Sequence, residues 1–168
     1  MEMERFKYIE LGGYDGKTES NSRFFDVCLG WEGLLIEPNP TTYGKLLQNR
    51  PHSHRVSYAA SCSEEEAKAN KTILFHALPF ANAAQADVTN NYAQHEPKAS
   101  VPCRPLTPVI RDLLGDHVDF MSLDVENVEH MVLSNIDFSK IQIDVMIVEN
   151  ANTFCTKNCE SRDKSGPS

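Results

Sequence analysis

The sequence predicts an α/β fold, a doubly wound and mostly parallel sheet with helices on both faces. Three observations point there. Short apolar runs that do not alternate with polar residues, such as residues 33–38, read as strands covered on both sides. Each run is followed by a stretch of helical spacing, with glycine or proline at the joints. Finally, 168 residues suffice for about one domain, and strands alternating with helices leave little but right-handed crossovers within one sheet.

The elements follow in order. Lys7-Tyr-Ile-Glu-Leu-Gly-Gly13 is a first strand stopped by glycines, and residues 18–30 place Phe24, Phe25, Val27 and Cys28 on a helix closed by Gly30. A second strand spans 33–38, and a helix over 40–47 starts on Pro40. Residues 55–60 form a weaker third strand, and 64–70 a polar helical turn. Residues 73–78 are strand-like, whereas 82–97 are polar, rich in Ala, Asn and Gln, and without period, which reads as an insertion or active-site loop. Thr107 is expected to cap a helix with Pro108 at its first position, Val109, Ile110, Leu113 and Leu114 on its apolar face, and Gly115 as its stop. A strand over 118–124, a helix over 128–136 and a strand over 143–148 complete a domain of residues 1–152. Residues 153–168 read as a disordered tail. Phe24, Phe25, Leu46, Leu47, Met131 and Val132, at helical spacing, are assigned to the core.

Composition narrows the partners. A net charge of −8 has the wrong sign for binding nucleic acid or an anionic membrane. No apolar run approaches the ~20 residues of a membrane span, and the first residues lack the apolar stretch of a signal peptide, so a cytoplasmic chain is expected. Five scattered cysteines do not read as a disulfide framework and suit a reducing compartment. Cys155 and Cys159 stand at C-x-x-x-C spacing with no second Cys/His pair, and read as incidental thiols rather than a zinc site. Asn70-Lys-Thr72 is a glycosylation sequon only in a secreted chain, which nothing else in the sequence supports.

The chemistry is expected where strands end in acids: Glu10, Glu37, Asp124 and Glu149. Each could merely cap the following helix. Four in register instead suggest the rim of one crevice, since ligands of open parallel sheets bind beyond the carboxyl ends of the strands. The first turn reads Glu10-Leu-Gly-Gly-Tyr-Asp-Gly16, and Glu37 lies 21 residues past Gly16, the spacing of an acid that binds ribose hydroxyls. The turn is not G-x-G-x-x-G, and Asp15 within it would repel a pyrophosphate, which disfavours NAD or FAD. A nucleoside bearing positive charge, such as S-adenosylmethionine, would be attracted by Glu10, Asp15 and Asp124.

Four segments carry a resemblance: Tyr8-Ile-Glu-Leu-Gly-Gly-Tyr-Asp-Gly16 with Ser20, Gly30-Trp-Glu-Gly-Leu-Leu-Ile-Glu-Pro-Asn-Pro40, Val118-Asp-Phe-Met-Ser-Leu-Asp-Val-Glu-Asn-Val-Glu129, and Val148-Glu149. In order and spacing, over most of residues 7–152, the chain resembles the FkbM family of S-adenosylmethionine-dependent methyltransferases. The resemblance implies a Rossmann-like class I domain that methylates a hydroxyl oxygen of a sugar, polyketide or related small molecule. By motif, Glu10, Gly12 and Gly16 would line the methionine half of the cofactor, Glu37 the ribose, and Ala60 and Ser61 the adenine, with Gly13, Asp15, Ser20, Pro38 and Asn39 also among the cofactor-binding residues. Asp124 would meet the cofactor and, with Glu126, the reacting methyl group, either acid serving as base. His130 reads as a surface histidine sooner than an assistant. Asp124, Glu149 and Asn150 would be ligands if Mg²⁺ were used.

Two departures from the family stand out. Asn127 replaces the usual glycine, and the usual last two strands are missing, which leaves the fifth main strand as an apolar edge suited to self-association. The alternatives to an O-methyltransferase are a non-catalytic or truncated binding module and a nicotinamide-dependent oxidoreductase with Glu37 on the ribose.

Overall fold

A computed structural model describes residues 5–79, 85–86 and 97–149. The chain runs β1 (Lys7–Leu11), α1 (Arg23–Leu29), β2 (Glu32–Ile36), α2 (Pro40–Asn49), β3 (His54–Val56), α3 (Glu64–Lys68), β4 (Thr72–His76), β5 (Lys98–Pro102), α4 (Leu106–Leu113), β6 (His117–Leu123), α5 (Glu129–Ser134) and β7 (Gln142–Val148). Five strands make an all-parallel sheet in the order β3-β2-β1-β6-β7, and β4 and β5 form a separate antiparallel pair. The α/β Rossmann-like fold expected from the sequence is the fold observed.

Its apolar runs are continuous because successive residues of a strand enter different cores. Ile9, Leu34, Ile36, Met121 and Leu123 pack with Leu106 and Ile110 of α4 and Val132 of α5. Their neighbours Tyr8, Leu35 and Phe120 pack with Leu46 of α2 and with Phe25, Trp31 and Tyr43. Gly33 is required here, because a Cβ on it would run into the Tyr8 ring.

The structure corrects several expectations. The first helix begins at Arg23, not near residue 18, because residues 12–22 form a turn tied to β1 by side-chain hydrogen bonds. Phe24 is 60% exposed and Leu47 40% exposed, so neither belongs to the core. The seven-residue α1 reaches the sheet through Phe25, which stacks on Trp31 with ring centres 4.6 Å apart and tilts against Phe120 at 4.8 Å. Thr107 is not a cap. The helix starts at Leu106, two residues before the expected Pro108, and the Thr107 hydroxyl accepts from the Asp137 amide at 2.9 Å.

Residues 98–102, for which the sequence predicts no element, are a strand. Only Val101 in it is buried, so its pattern is faint without its partner β4. The third strand is shorter than expected because the chain leaves β2 after Val56 and turns to β5, where the Ala59 amide donates to the Pro102 carbonyl at 2.9 Å and the Arg104 amide to Ala59.

The cysteine reading is overturned. Cys62 and Cys103 are joined in a disulfide across 41 residues, with Cα atoms 5.7 Å apart, within a small core that includes Ala59, Ile73, Phe75 and Val101. Pairs so far apart in sequence carry no spacing signature. Cys28 is free and exposed, and Cys155 and Cys159 lie outside the described residues. The cytoplasmic expectation drew part of its support from unpaired thiols, a ground this bond removes. No helix among the described residues is long and apolar enough to cross a membrane. Among the same residues β7 ends the sheet, pairing with β6 alone, with Val145 55% and Ile147 52% exposed; the tail expected over 153–168 lies outside them.

Candidate functional site

The site forms where β1 and β6 lie side by side but continue to opposite sides of the sheet, the point at which such sheets open a crevice. The parallel ladder runs one residue past the strands and so sets the strand-end acids. The Glu37 amide donates to Val56 at 3.1 Å, the Asp124 amide to Leu11 at 3.2 Å and the Glu149 amide to Leu123 at 2.9 Å. Between them the chain turns at Gly12, whose φ of 77° lies in the left-handed region. A Cβ there would sit on the Asp124 carbonyl, so only glycine lets the two strand ends approach.

Below this turn lies a buried ionic network. The Glu10 carboxylate accepts from the Ser20 hydroxyl (2.8 Å), the Asn21 amide (2.8 Å) and the Ser22 hydroxyl (2.6 Å). The guanidinium of fully buried Arg50 donates to Asp26 (2.5 Å), Tyr8 (2.6 Å), Ser20 (3.0 Å), Ser22 (3.1 Å) and the Gly16 carbonyl (3.3 Å). Asp15 closes the turn on itself, accepting from the Lys17 and Thr18 amides at 2.8 and 2.7 Å and from the Thr18 hydroxyl.

The crevice has two lobes. The first is lined largely by apolar residues, among them Leu11, Ile36, Phe75 and Val132, and it contains Glu37, Pro38, Ala60 and Ser61. Glu37 is buried and accepts from the Tyr14 and Asn39 amides, each at 2.8 Å. Burial nevertheless pushes its carboxyl up to about 7. Tyr58, also buried in this wall, has a hydroxyl without a hydrogen-bond partner among the described residues, and burial raises its pKa. A buried unpaired hydroxyl is costly, and an ordered water or a polar ligand atom would relieve it.

The second lobe is open and acidic, lined by Gly13, Tyr14, Thr18, Glu19, Ser20 and Glu149, and it shares Gly12, Asp124 and Glu126 with the first. Carboxylate oxygens of Asp124, Glu126 and Glu149 lie within 4.8 Å of one another. Burial, then a hydrogen bond and like charge from Glu149, push Asp124 up to about 7, and burial with the charge of Asp124 raises Glu126. The bend carrying these acids is left-handed at Glu126 (φ 57°) and Asn127 (φ 77°). Asparagine is among the few residues that take this conformation readily, which accounts for its presence in place of the family's glycine. Glu129 pins the bend, accepting from the Val125 amide at 3.0 Å and the Asn127 amide at 3.3 Å.

Of the residues singled out from sequence, Gly12, Gly13, Ser20, Glu37, Pro38, Ala60, Ser61, Asp124, Glu126 and Glu149 converge on these lobes. Glu10, Asp15, Gly16 and Asn39 line neither: Glu10 holds Ser20 from beneath, and Asn39 caps α2 by accepting from the Thr41 amide at 3.0 Å. His130 is exposed and lines neither lobe, and Asn150 lies outside the described residues. Sequence reasoning missed Tyr58, Glu19 and Arg50, whose partners are set by tertiary structure. The run of glycine turn and polar residues from Gly12 to Ser22 was the one hint that a buried cation might be needed there.

A parallel sheet that opens at its switch point into a crevice, with helices packed on its faces, defines a Rossmann-like α/β domain. The FkbM methyltransferase domain matches residues 10–161, and the chain belongs to that family. No curated protein and no solved structure matches the chain.

Proposed function

We propose that the domain binds S-adenosylmethionine across the two lobes and directs its methyl group to a hydroxyl oxygen of a small molecule or glycan, such as a sugar. The observation that carries this reading is the junction at Gly12, Asp124 and Glu126, where an apolar lobe with a buried carboxylate meets a lobe of three crowded acids. The residues fit the group. The unpaired Tyr58 hydroxyl and Ser61 offer polar contacts to an adenine edge, and Glu37 retains acceptor capacity for ribose hydroxyls beyond its two backbone amides. Negative charge from Asp124, Glu126 and Glu149 attracts a sulfonium and ammonium, and a cation there would in turn relieve their mutual repulsion.

When bound, the cofactor supplies an electrophilic methyl group. The chain's own residues then position and deprotonate the acceptor. Asp124 is the base of choice, because a carboxyl pushed up to about 7 is both deprotonated in part and basic enough near neutral pH. Glu10 and Arg50 are positioning residues that hold the turn bearing Ser20. The wall of Leu11, Ile36 and Val132 excludes water from the nucleoside side.

Calorimetric titration of the folded chain with S-adenosylmethionine and S-adenosylhomocysteine tests the reading. Binding is expected, and so is release of S-adenosylhomocysteine in the presence of a sugar hydroxyl acceptor. A folded chain that gives no heat and no thermal shift at millimolar ligand overturns cofactor binding. Binding without turnover across a wide acceptor panel favours the non-catalytic module.

A further inference from the structure

We infer that Asn70 is an acceptor of an N-linked oligosaccharide, in a domain that matures in an oxidising secretory lumen. Two independent observations meet at one place. The first is the sequon Asn70-Lys-Thr72, the single N-x-S/T triplet of the sequence without an intervening proline; Asn39-Pro-Thr41 is excluded by Pro40. The second is the Cys62–Cys103 disulfide, a bond that persists in oxidising compartments and is rare in reducing ones.

The fold presents the sequon for modification. Asn70 is exposed in the turn between α3 and β4, with a φ of 56°, and Thr72 is exposed at the start of β4. Neither side chain makes a hydrogen bond among the described residues. The backbone between them is fixed from both sides: the Lys71 amide donates to the Glu66 carbonyl at 3.0 Å, and the Lys71 carbonyl accepts from the Cys103 amide at 3.0 Å. The residue that forms the disulfide therefore also clamps the middle of the sequon, with the Asn70 and Thr72 side chains left outward. Thr72 and Phe75, which lines the apolar lobe, are three residues apart on β4, roughly 10 Å at strand rise, so a glycan at Asn70 leaves the crevice open.

The covalent steps balance with co-reactants of known class. In glycosylation the Asn70 Nδ2 forms a bond to the anomeric carbon of an oligosaccharide carried on a polyprenyl diphosphate. The bond from that carbon to the diphosphate oxygen breaks, the lipid diphosphate departs, and the amide proton passes to a base of the transferase. In disulfide formation the Cys62 and Cys103 thiols give up two protons and two electrons to the disulfide of a thiol oxidant, which becomes a dithiol.

The deciding experiment takes the chain from its native source, treats it with an N-glycan amidase in ¹⁸O water and maps its peptides. The expected result is conversion of Asn70 to ¹⁸O-labelled Asp, together with a linked Cys62–Cys103 peptide. Unmodified Asn70 overturns the inference, whether or not the cysteines are joined. A second arm translates the full chain behind a cleavable secretory signal with microsomes. Wild type and Thr72→Ser should gain one amidase-sensitive increment, and Asn70→Gln and Thr72→Ala none. Because the increment is added before folding is complete, a misfolding variant still reads out. The same bare mass for wild type and all three variants, with the signal cleaved, also overturns it.

Discussion

The guanidinium of Arg50 lies 3.7 Å from the carboxylate of Glu10, both buried, and the two share Ser20 and Ser22 as hydrogen-bond partners. Through this pair the end of α2 holds the loop that carries the acidic lobe. Removing the cation alone leaves Glu10 and Asp26 without their partner, and breaking a buried pair in this way typically costs about 3–5 kcal/mol. Arg50→Ala should therefore lower stability by that order. Arg50→Lys should recover only part of it, since an ammonium cannot reproduce five forked donors. Denaturant titration measures both.

Glu37 has two tasks that one pair of variants separates. Glu37→Ala strands the Tyr14 and Asn39 amides, costing about 1–3 kcal/mol of stability, and should weaken S-adenosylhomocysteine binding about ten- to a hundredfold. The capping task belongs to Asn39, so Asn39→Ala should cost about 1 kcal/mol of stability and leave affinity nearly unchanged. Melting curves and calorimetry on both variants check the division. Unchanged affinity in Glu37→Ala would remove the ribose assignment.

Stability and ligand affinity should depend on pH with opposite signs. Burial holds Glu37 at about 7 against an ordinary 4.5, and burial with Glu149 holds Asp124 at about 7 against 3.8. A carboxyl with a raised folded-state pKa binds its proton more tightly folded than unfolded, so stability falls as pH rises from about 4 to about 7 and levels off above. Attraction of a sulfonium needs the deprotonated acids, so S-adenosylmethionine affinity should rise over the same range. Glu149→Gln should move the Asp124 midpoint down, because it removes a like charge. Melting temperatures and titrations across pH 5–8 test the signs.

Opening the Cys62–Cys103 bond frees a loop closed across 41 residues, which the chain-entropy model values at roughly 4 kcal/mol. Cys62→Ser with Cys103→Ser, or reduction of the wild type, should lower the melting temperature accordingly. The loss should be greatest around β4 and β5, where hydrogen exchange would register it.

Some of this was legible in the sequence because the cause is local. A parallel strand buried on both faces must be continuously apolar, so β1, β2 and β6 were readable to within two residues; β7 was readable from its apolar run although it is an exposed edge. The acids Glu37, Asp124 and Glu149 were readable too, because a residue just past a parallel strand faces the carboxyl-end crevice wherever the strand sits. The strand β5, the exposure of Phe24 and the bare start of α4 were not, since each depends on which neighbour covers the segment.

The sequence by itself determined an α/β domain, its strand-end acids, its glycine turn and its FkbM kinship. Only the tertiary structure decided which acids meet a ligand and which are consumed within the fold. Glu10 and Glu37 look alike as strand-end acids. One is tied to Arg50, 40 positions away, and the other lines an apolar lobe beside the unpaired Tyr58 hydroxyl. The Cys62–Cys103 bond was decided the same way. Such pairings follow from the proximity of segments distant along the chain, and local periodicity carries no record of it.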